Sequence, residues 1–160
     1  MNKSDDNTLF ELFFHKSKEY YIDKLISYQT GQKFTFNVFA FLFGLFWFIY
    51  RKMYLQAFVI LLIVVGEGFL EVLFFPDMDE STINTVNVVM TILIATITGF
   101  MGNYLYIKHA ERVITNAQQK YNDTEQIHKI VKRKGGVSYL VFIILAGIIA
   151  LTFLYNNFIP

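Results

Sequence analysis

Long apolar runs alternate along this chain with connectors that carry its charge. Residues 54–75, 83–107 and 139–158 are each long enough to cross a bilayer as a helix. A hydrocarbon core of roughly 30 Å needs about 20 predominantly apolar residues at 1.5 Å each. Between residues 8 and 28 the pattern differs. Leu9, Phe10, Phe13, Phe14, Tyr21, Leu25 and Tyr28 are interspersed with Lys16, Lys18, Glu19, Asp23 and Lys24, a spacing that predicts an amphipathic helix packed on the protein or on lipid headgroups. Residues 36–50 form a third kind of segment. Eight of these fifteen residues are aromatic, against 18% for the whole chain. As a helix the segment would be about 22 Å long, too short for the hydrocarbon core, and its Trp and Tyr favour the interface. It reads as a shallow, interfacial or re-entrant helix, with a fourth, tilted span as the alternative. The choice decides which side the N-terminus occupies.

The predicted class is therefore all-α, a polytopic integral membrane protein with three transmembrane helices and one short aromatic helix. Residues 1–35 form an N-terminal amphipathic segment and 36–158 the membrane domain. Charge orients it. The connector from Pro76 to Thr82 holds three acids and no base, and Pro76 ends the helix before it. The connector from Lys108 to Lys134 carries seven Lys/Arg against three acids. The positive-inside rule places residues 108–138 and Arg51-Lys52 in the cytoplasm, with 76–82 and the tip from Asn156 to Pro160 outside. Within the basic connector, Ala110, Val113, Ile114, Ala117, Tyr121, Ile127, Ile130 and Val131 recur at helical spacing, so the third span's helix is expected to continue into it. Gly135-Gly136 would break that helix and Ser138 would cap the last span. If the N-terminus is also inside, the apolar faces of the two cytoplasmic helices can pair. Basic residues 129–134 stand where anionic headgroups attract Lys and Arg at about 1 kcal/mol each, although ordinary topogenic charge is the plainer explanation.

Composition adds limits. A chain of 160 residues with 54% hydrophobic content and no Cys fits one small membrane domain without disulfides or cysteine-ligated metal. A net charge of +1 does not suggest a nucleic-acid partner. The first 33 residues lack the pattern of a signal peptide, so the first insertion signal is expected later in the chain and retained.

Several strings together resemble a known family. Phe36-Asn37, Ala40-Phe41, Gly44, Trp47 and Tyr50-Arg51-Lys52-Met53-Tyr54 make up the most specific of them. Gly102-Asn103-Tyr104-Leu-Tyr106-Ile-Lys108-His109, Gly135-Gly136-Val-Ser138, and His15 with Tyr20-Tyr21 complete the pattern. This is similar to the bacterial membrane family designated domain of unknown function 2628. Leu45 stands where that family often has proline, and Val38 where it often has an aromatic, so the resemblance alone does not fix a kink in the first segment. The zinc-ribbon segment of some relatives is not found here. The resemblance implies a small protein of the bacterial inner membrane and brings no established reaction.

Candidate chemistry within the apolar runs centres on Glu67 and Glu71. They lie i, i+4 on one helical face. The fifteen Leu, Ile, Val and Phe of residues 54–75 favour insertion by about 0.3 to 0.6 kcal/mol each, whereas an acid at the centre opposes it by about 2.5 to 3.5. Both acids therefore need partners. A short loop centred near Asp79 would make the flanking helices antiparallel neighbours, setting Glu71 level with Asn87 and Glu67 level with Thr91. A stripe of small residues at Ala95, Thr98, Gly99 and Gly102 would let these helices approach closely. The expected seam pairs Glu67 with Thr91 and Glu71 with Asn87, as helix glue with at least one protonated acid, or as a proton or cation site.

His15, His109 and His128 have no metal-ligand spacing, and no HExxH, GxSxG, P-loop or dinucleotide pattern occurs. The residues thus point to a non-enzymatic membrane interaction or structural protein without cofactor or metal, whose partners are the bilayer and anionic headgroups. A homo-oligomer is allowed. The alternative is a small proton- or cation-coupled transport protein using Glu67 and Glu71.

Overall fold

Seven helices make up the computed structural model, which describes residues 3–158; Met1, Asn2, Ile159 and Pro160 lie outside the described residues. They are α1 (Lys3–Phe14), α2 (Lys18–Gln29), α3 (Val38–Tyr50), α4 (Tyr54–Phe74), α5 (Glu80–Lys120), α6 (Thr124–Lys134) and α7 (Leu140–Phe158). No strand occurs among the described residues. Three helices, Tyr54–Phe74, Glu80–Lys120 and Leu140–Asn157, are long and apolar enough to cross a membrane.

The organising element is α5. Its 41 residues rise about 62 Å, roughly twice the thickness of a hydrocarbon core. Asp79 starts it, accepting from the Thr82 backbone N–H at 3.0 Å and the Thr82 hydroxyl at 2.6 Å. The two halves of α5 have different surroundings. Val88, Val89, Ile92, Leu93 and Ile97 of the first half are exposed. From Thr98 onward, Gly99, Gly102, Asn103, Tyr106, Ala110, Val113 and Ala117 form a buried stripe at i, i+3 and i+4 steps. Helices α1, α2 and α6 gather around that second half as a cap, whose core contains Leu9, Phe13, Phe14, Tyr21, Leu25 and Val131. By contrast, among the described residues α4 and α7 pack only on α3, and they leave most of their apolar surface uncovered.

The amphipathic stretch 8–28 is two helices rather than one. His15 (φ 44°) and Ser17 (φ 67°) take left-handed conformations between α1 and α2. The break turns Phe13 and Phe14 of α1 and Tyr21 of α2 onto the same ring, Tyr106, with centroids 5.6, 5.5 and 4.7 Å away. A straight helix through residues 8–28 could not do this. The basic connector is also divided. α5 does continue past residue 107, but it ends at Lys120. After an extended Tyr121, α6 starts at its own cap, Asp123, and folds back against α1 and α5. The apolar faces of the N-terminal helix and the connector do pair, because α1 packs on α6. Ser138 caps α7 through the Leu140 N–H at 3.2 Å.

Helix α3 enters and leaves on the same side. Thr35, just before it, accepts from Asn103, and the Asn37 backbone N–H donates to the Gly99 carbonyl. Ala40 lies against Thr98 and Gly102. Beyond the bend, Trp47 faces Tyr106, and Arg51 lies over the same ring. The path along α5 thus runs from Asn103 to Thr98 and back to Tyr106. Gly44 makes the turn with φ 41° and ψ −114°, a backbone that L residues avoid, so no proline is needed. Both ends of the aromatic segment, the N-terminal helices and α6 all lie at one end of the structure.

Candidate functional site

The strings singled out in the sequence converge at the junction of the cap with α3. Asn37 caps α3 by accepting from the Ala40 N–H at 2.9 Å, and its own N–H donates to the Gly99 carbonyl at 2.8 Å. Its side-chain amide donates to Asn103 Oδ1 at 2.7 Å. Asn103, fully buried, donates in turn to the Tyr20 hydroxyl and to Thr35 Oγ1, both at 3.0 Å. Two buried amides are thereby satisfied by each other and by α2, as burial demands. Gly99 and Gly102 make the approach possible. A Cβ on Gly102 would lie 2.7 Å from Ala40 Cβ, and one on Gly99 2.7 Å from the Phe36 ring.

On the return limb, α3 ends in a Schellman turn: the Met53 N–H donates to Phe48 O at 2.8 Å and the Lys52 N–H to Ile49 O at 3.0 Å. The left-handed position belongs to Lys52 (φ 60°), where glycine is usual. Its side chain accounts for the choice, since Nζ donates to Arg133 O at 2.9 Å and Gly135 O at 2.7 Å. One lysine therefore ends α3 and neutralises the carbonyl end of α6. Burial lowers its pKa from the ordinary 10.5. Next to it, Gly135 presses on the Phe13 backbone so closely that a Cβ would collide with the Phe13 carbonyl oxygen, while the Gly136 N–H donates to that same oxygen at 2.7 Å. Ser138 N–H donates to Tyr50 O at 2.8 Å, and the Tyr54 hydroxyl to Ser138 Oγ at 3.2 Å.

Arg51 occupies the centre. Only 6% exposed, its guanidinium lies 4.6 Å from the ring centre of Tyr21, 5.3 Å from Tyr106 and 5.5 Å from Tyr50. Among the described residues no carboxylate lies within ion-pair distance of it; Nε and Nη1 are enclosed without a hydrogen-bond partner, as is the Tyr106 hydroxyl. Burial pushes the Tyr21 phenol up from its ordinary 10.0, with Arg51 opposing, so Tyr21 does not supply a phenolate to balance the charge. The faces of three rings support a cation here, yet no carboxylate among the described residues pairs with it.

The seam expected between the second and third apolar runs is not formed. No Cα of α4 comes within 8 Å of α5 among the described residues, so Glu67 does not meet Thr91 and Glu71 does not meet Asn87 across a close helix pair. The small-residue stripe is real, but α3 occupies it: Phe36 and Phe41 lie over Gly99, Ala40 over Gly102, and the Thr98 hydroxyl is 3.3 Å from the Ala40 carbonyl. Glu67, Glu71 and Asn87 are half-buried, Thr91 is exposed, and Glu71 Oε1 is enclosed without a partner. Sequence reasoning placed Arg51 in the family string and treated its charge as topogenic. The signal it passed over is position: Arg51 directly follows the most aromatic segment of the chain.

A protein-family model described as "Protein of unknown function (DUF2628)" matches residues 7–112 of the chain, from α1 through α3 and α4 into the buried half of α5. No curated protein and no solved structure matches it.

Proposed function

Taking the chain as the member of the DUF2628 family that this match makes it, we propose a multi-pass protein of the bacterial inner membrane that acts through contacts and not by catalysis. The α1–α2–α6 cap lies against the cytoplasmic face, α3 dips into the membrane and returns, and the loop around Asp79 is outside. The observation that carries this reading is the division of the surface. Large apolar side chains are exposed along α4, α7 and the first half of α5, such as Leu62, Phe69, Ile92, Ile143 and Leu151, whereas the cap buries most of its own, Tyr20 and Ile26 excepted. An uncovered surface of that extent suits lipid and not water. The last turn of α6, with Lys132, Arg133 and Lys134, would then face anionic headgroups.

The chain has no Cys, so single cysteines report position directly. With Asn7→Cys, Asp77→Cys and Gln126→Cys in intact cells, an impermeant maleimide is expected to label position 77 alone, and all three after permeabilisation. Release of the protein by alkaline carbonate, or labelling of 7 and 126 on opposite sides, overturns the reading. A second reading, proton- or cation-coupled transport through Glu67 and Glu71, draws on the enclosed, unpartnered Glu71 Oε1. It predicts liposome flux that disappears in Glu67→Gln or Glu71→Gln.

A further inference from the structure

Between the return limb of α3 and the first turns of α7 lies a cavity of about 340 Å³, at the low end of the roughly 300–1,000 Å³ typical of ligand pockets. Its lining is graded. Arg51 and Ser17 stand at the cap end, while Phe39, Phe43, Phe142 and Leu145 supply apolar walls. Phe39, Phe43 and Phe142 are themselves more than half exposed, so the apolar end opens onto the surface assigned above to lipid. Lys16, which precedes Ser17, donates to the Tyr139 hydroxyl at 3.2 Å on the exposed surface and is not part of the lining.

We propose that this cavity holds an anionic membrane lipid, its headgroup oxyanion balancing Arg51 and the start of one acyl chain lying along Phe39, Phe43 and Leu145. The inference rests on the membrane reading above. A buried guanidinium with two enclosed, unpartnered nitrogens and no carboxylate in ion-pair distance is costly. The three tyrosine faces hold it in place, but they leave its full charge beside an apolar cavity. An oxyanion on an apolar stem supplies what both parts of the site lack. A cavity of this size takes the head and a short length of chain, leaving the remainder of the lipid in the bilayer.

The test uses the full chain, delipidated in mild detergent, with native mass spectrometry after addition of phosphatidylglycerol or of phosphatidylcholine with the same acyl chains. Phosphatidylglycerol is expected to be retained at least tenfold better. That preference should vanish in Arg51→Met, and retention should fall in Leu145→Trp, which fills the apolar end without touching the charge. Equal retention of the two lipids overturns the proposal, and so does displacement of phosphatidylglycerol by millimolar inorganic phosphate, which would mark a site for free oxyanions. If Arg51→Met does not fold, Leu145→Trp decides: wild-type retention in that variant overturns the proposal. Carbonate extraction of the wild type reports separately on membrane integration, so an integral chain without lipid preference refutes this inference alone.

Discussion

At the scale of single residues, His109 and the paired glycines make the sharpest demands. The His109 ring packs edge-on against Phe13 at 5.7 Å, and burial first, then Arg112 and Lys134, lower its pKa from the ordinary 6.5. The unfolded chain thus binds a proton that the folded cap resists, so stability falls as pH drops below 6.5 and levels off once pH passes below the folded-state pKa. Thermal unfolding of the cap is expected to shift downward between pH 7 and 5.5, and the shift to shrink in His109→Gln. Trp47, the only tryptophan, is buried beside Phe48 and Tyr106 and gives the fluorescence signal. Gly135 and Gly136 should separate cleanly under the same measurement. Gly135→Ala forces the Phe13 backbone to move and should cost about 3 kcal/mol or more, at the upper end of overpacking effects. Gly136→Ala has open space, with His15 Cβ 3.8 Å away, and pays only for its φ of 71°, about 1 kcal/mol.

At the scale of elements, α3 is held by polar groups at both ends and by a glycine bend in the middle. Asn103→Leu removes the acceptor of Asn37 and the donor to Thr35 and Tyr20, and should cost about 1–3 kcal/mol for each buried group left unpaired. Hydrogen exchange at Ala40 and Phe41 would show the loosening first. The extent of the helices was largely legible in the sequence. Uninterrupted hydrophobicity marks α4 and α7, and Pro76 and Gly135-Gly136 mark two of the boundaries. The breaks at His15–Ser17 and Tyr121–Asp123 were not, because neither contains proline or glycine. Each is set by distant side chains that must reach Tyr106 or α1. A re-entrant path was one reading of the short aromatic segment, but the bend at Gly44 was not legible there; it rests on a backbone that only glycine takes readily.

At the scale of the whole molecule, the misplaced seam is instructive. Depth matching across a short loop is sound when two helices are neighbours, and here α3 takes the face that α4 was expected to use. Small residues at Gly99 and Gly102 announce a close approach without naming the partner. Asn87→Leu should therefore change the unfolding temperature little, within about 0.5 kcal/mol as for most surface changes. Gly102→Leu should prevent α3 from docking, which limited proteolysis of residues 30–37 would detect. Arg51 lay hidden for a related reason: a cation next to an apolar run reads as a topology signal, and only the meeting of α2, α3 and α5 turns it into a buried group.

The bond from Gly136 to Phe13 has a consequence for biosynthesis. Lys16 and Tyr139, beside that bond, are 123 residues apart, a length that takes a ribosome roughly 6 to 25 seconds to make. For that interval the first helix has been translated, yet its final partner does not exist. Under the proposed topology, Phe10, Phe13 and Phe14 must wait while α3 and two of the three candidate spans, α4 and α5, are made. Premature burial of those rings in the bilayer would hold back the cap, so the rate of emergence of α6 and α7 sets when this protein can close.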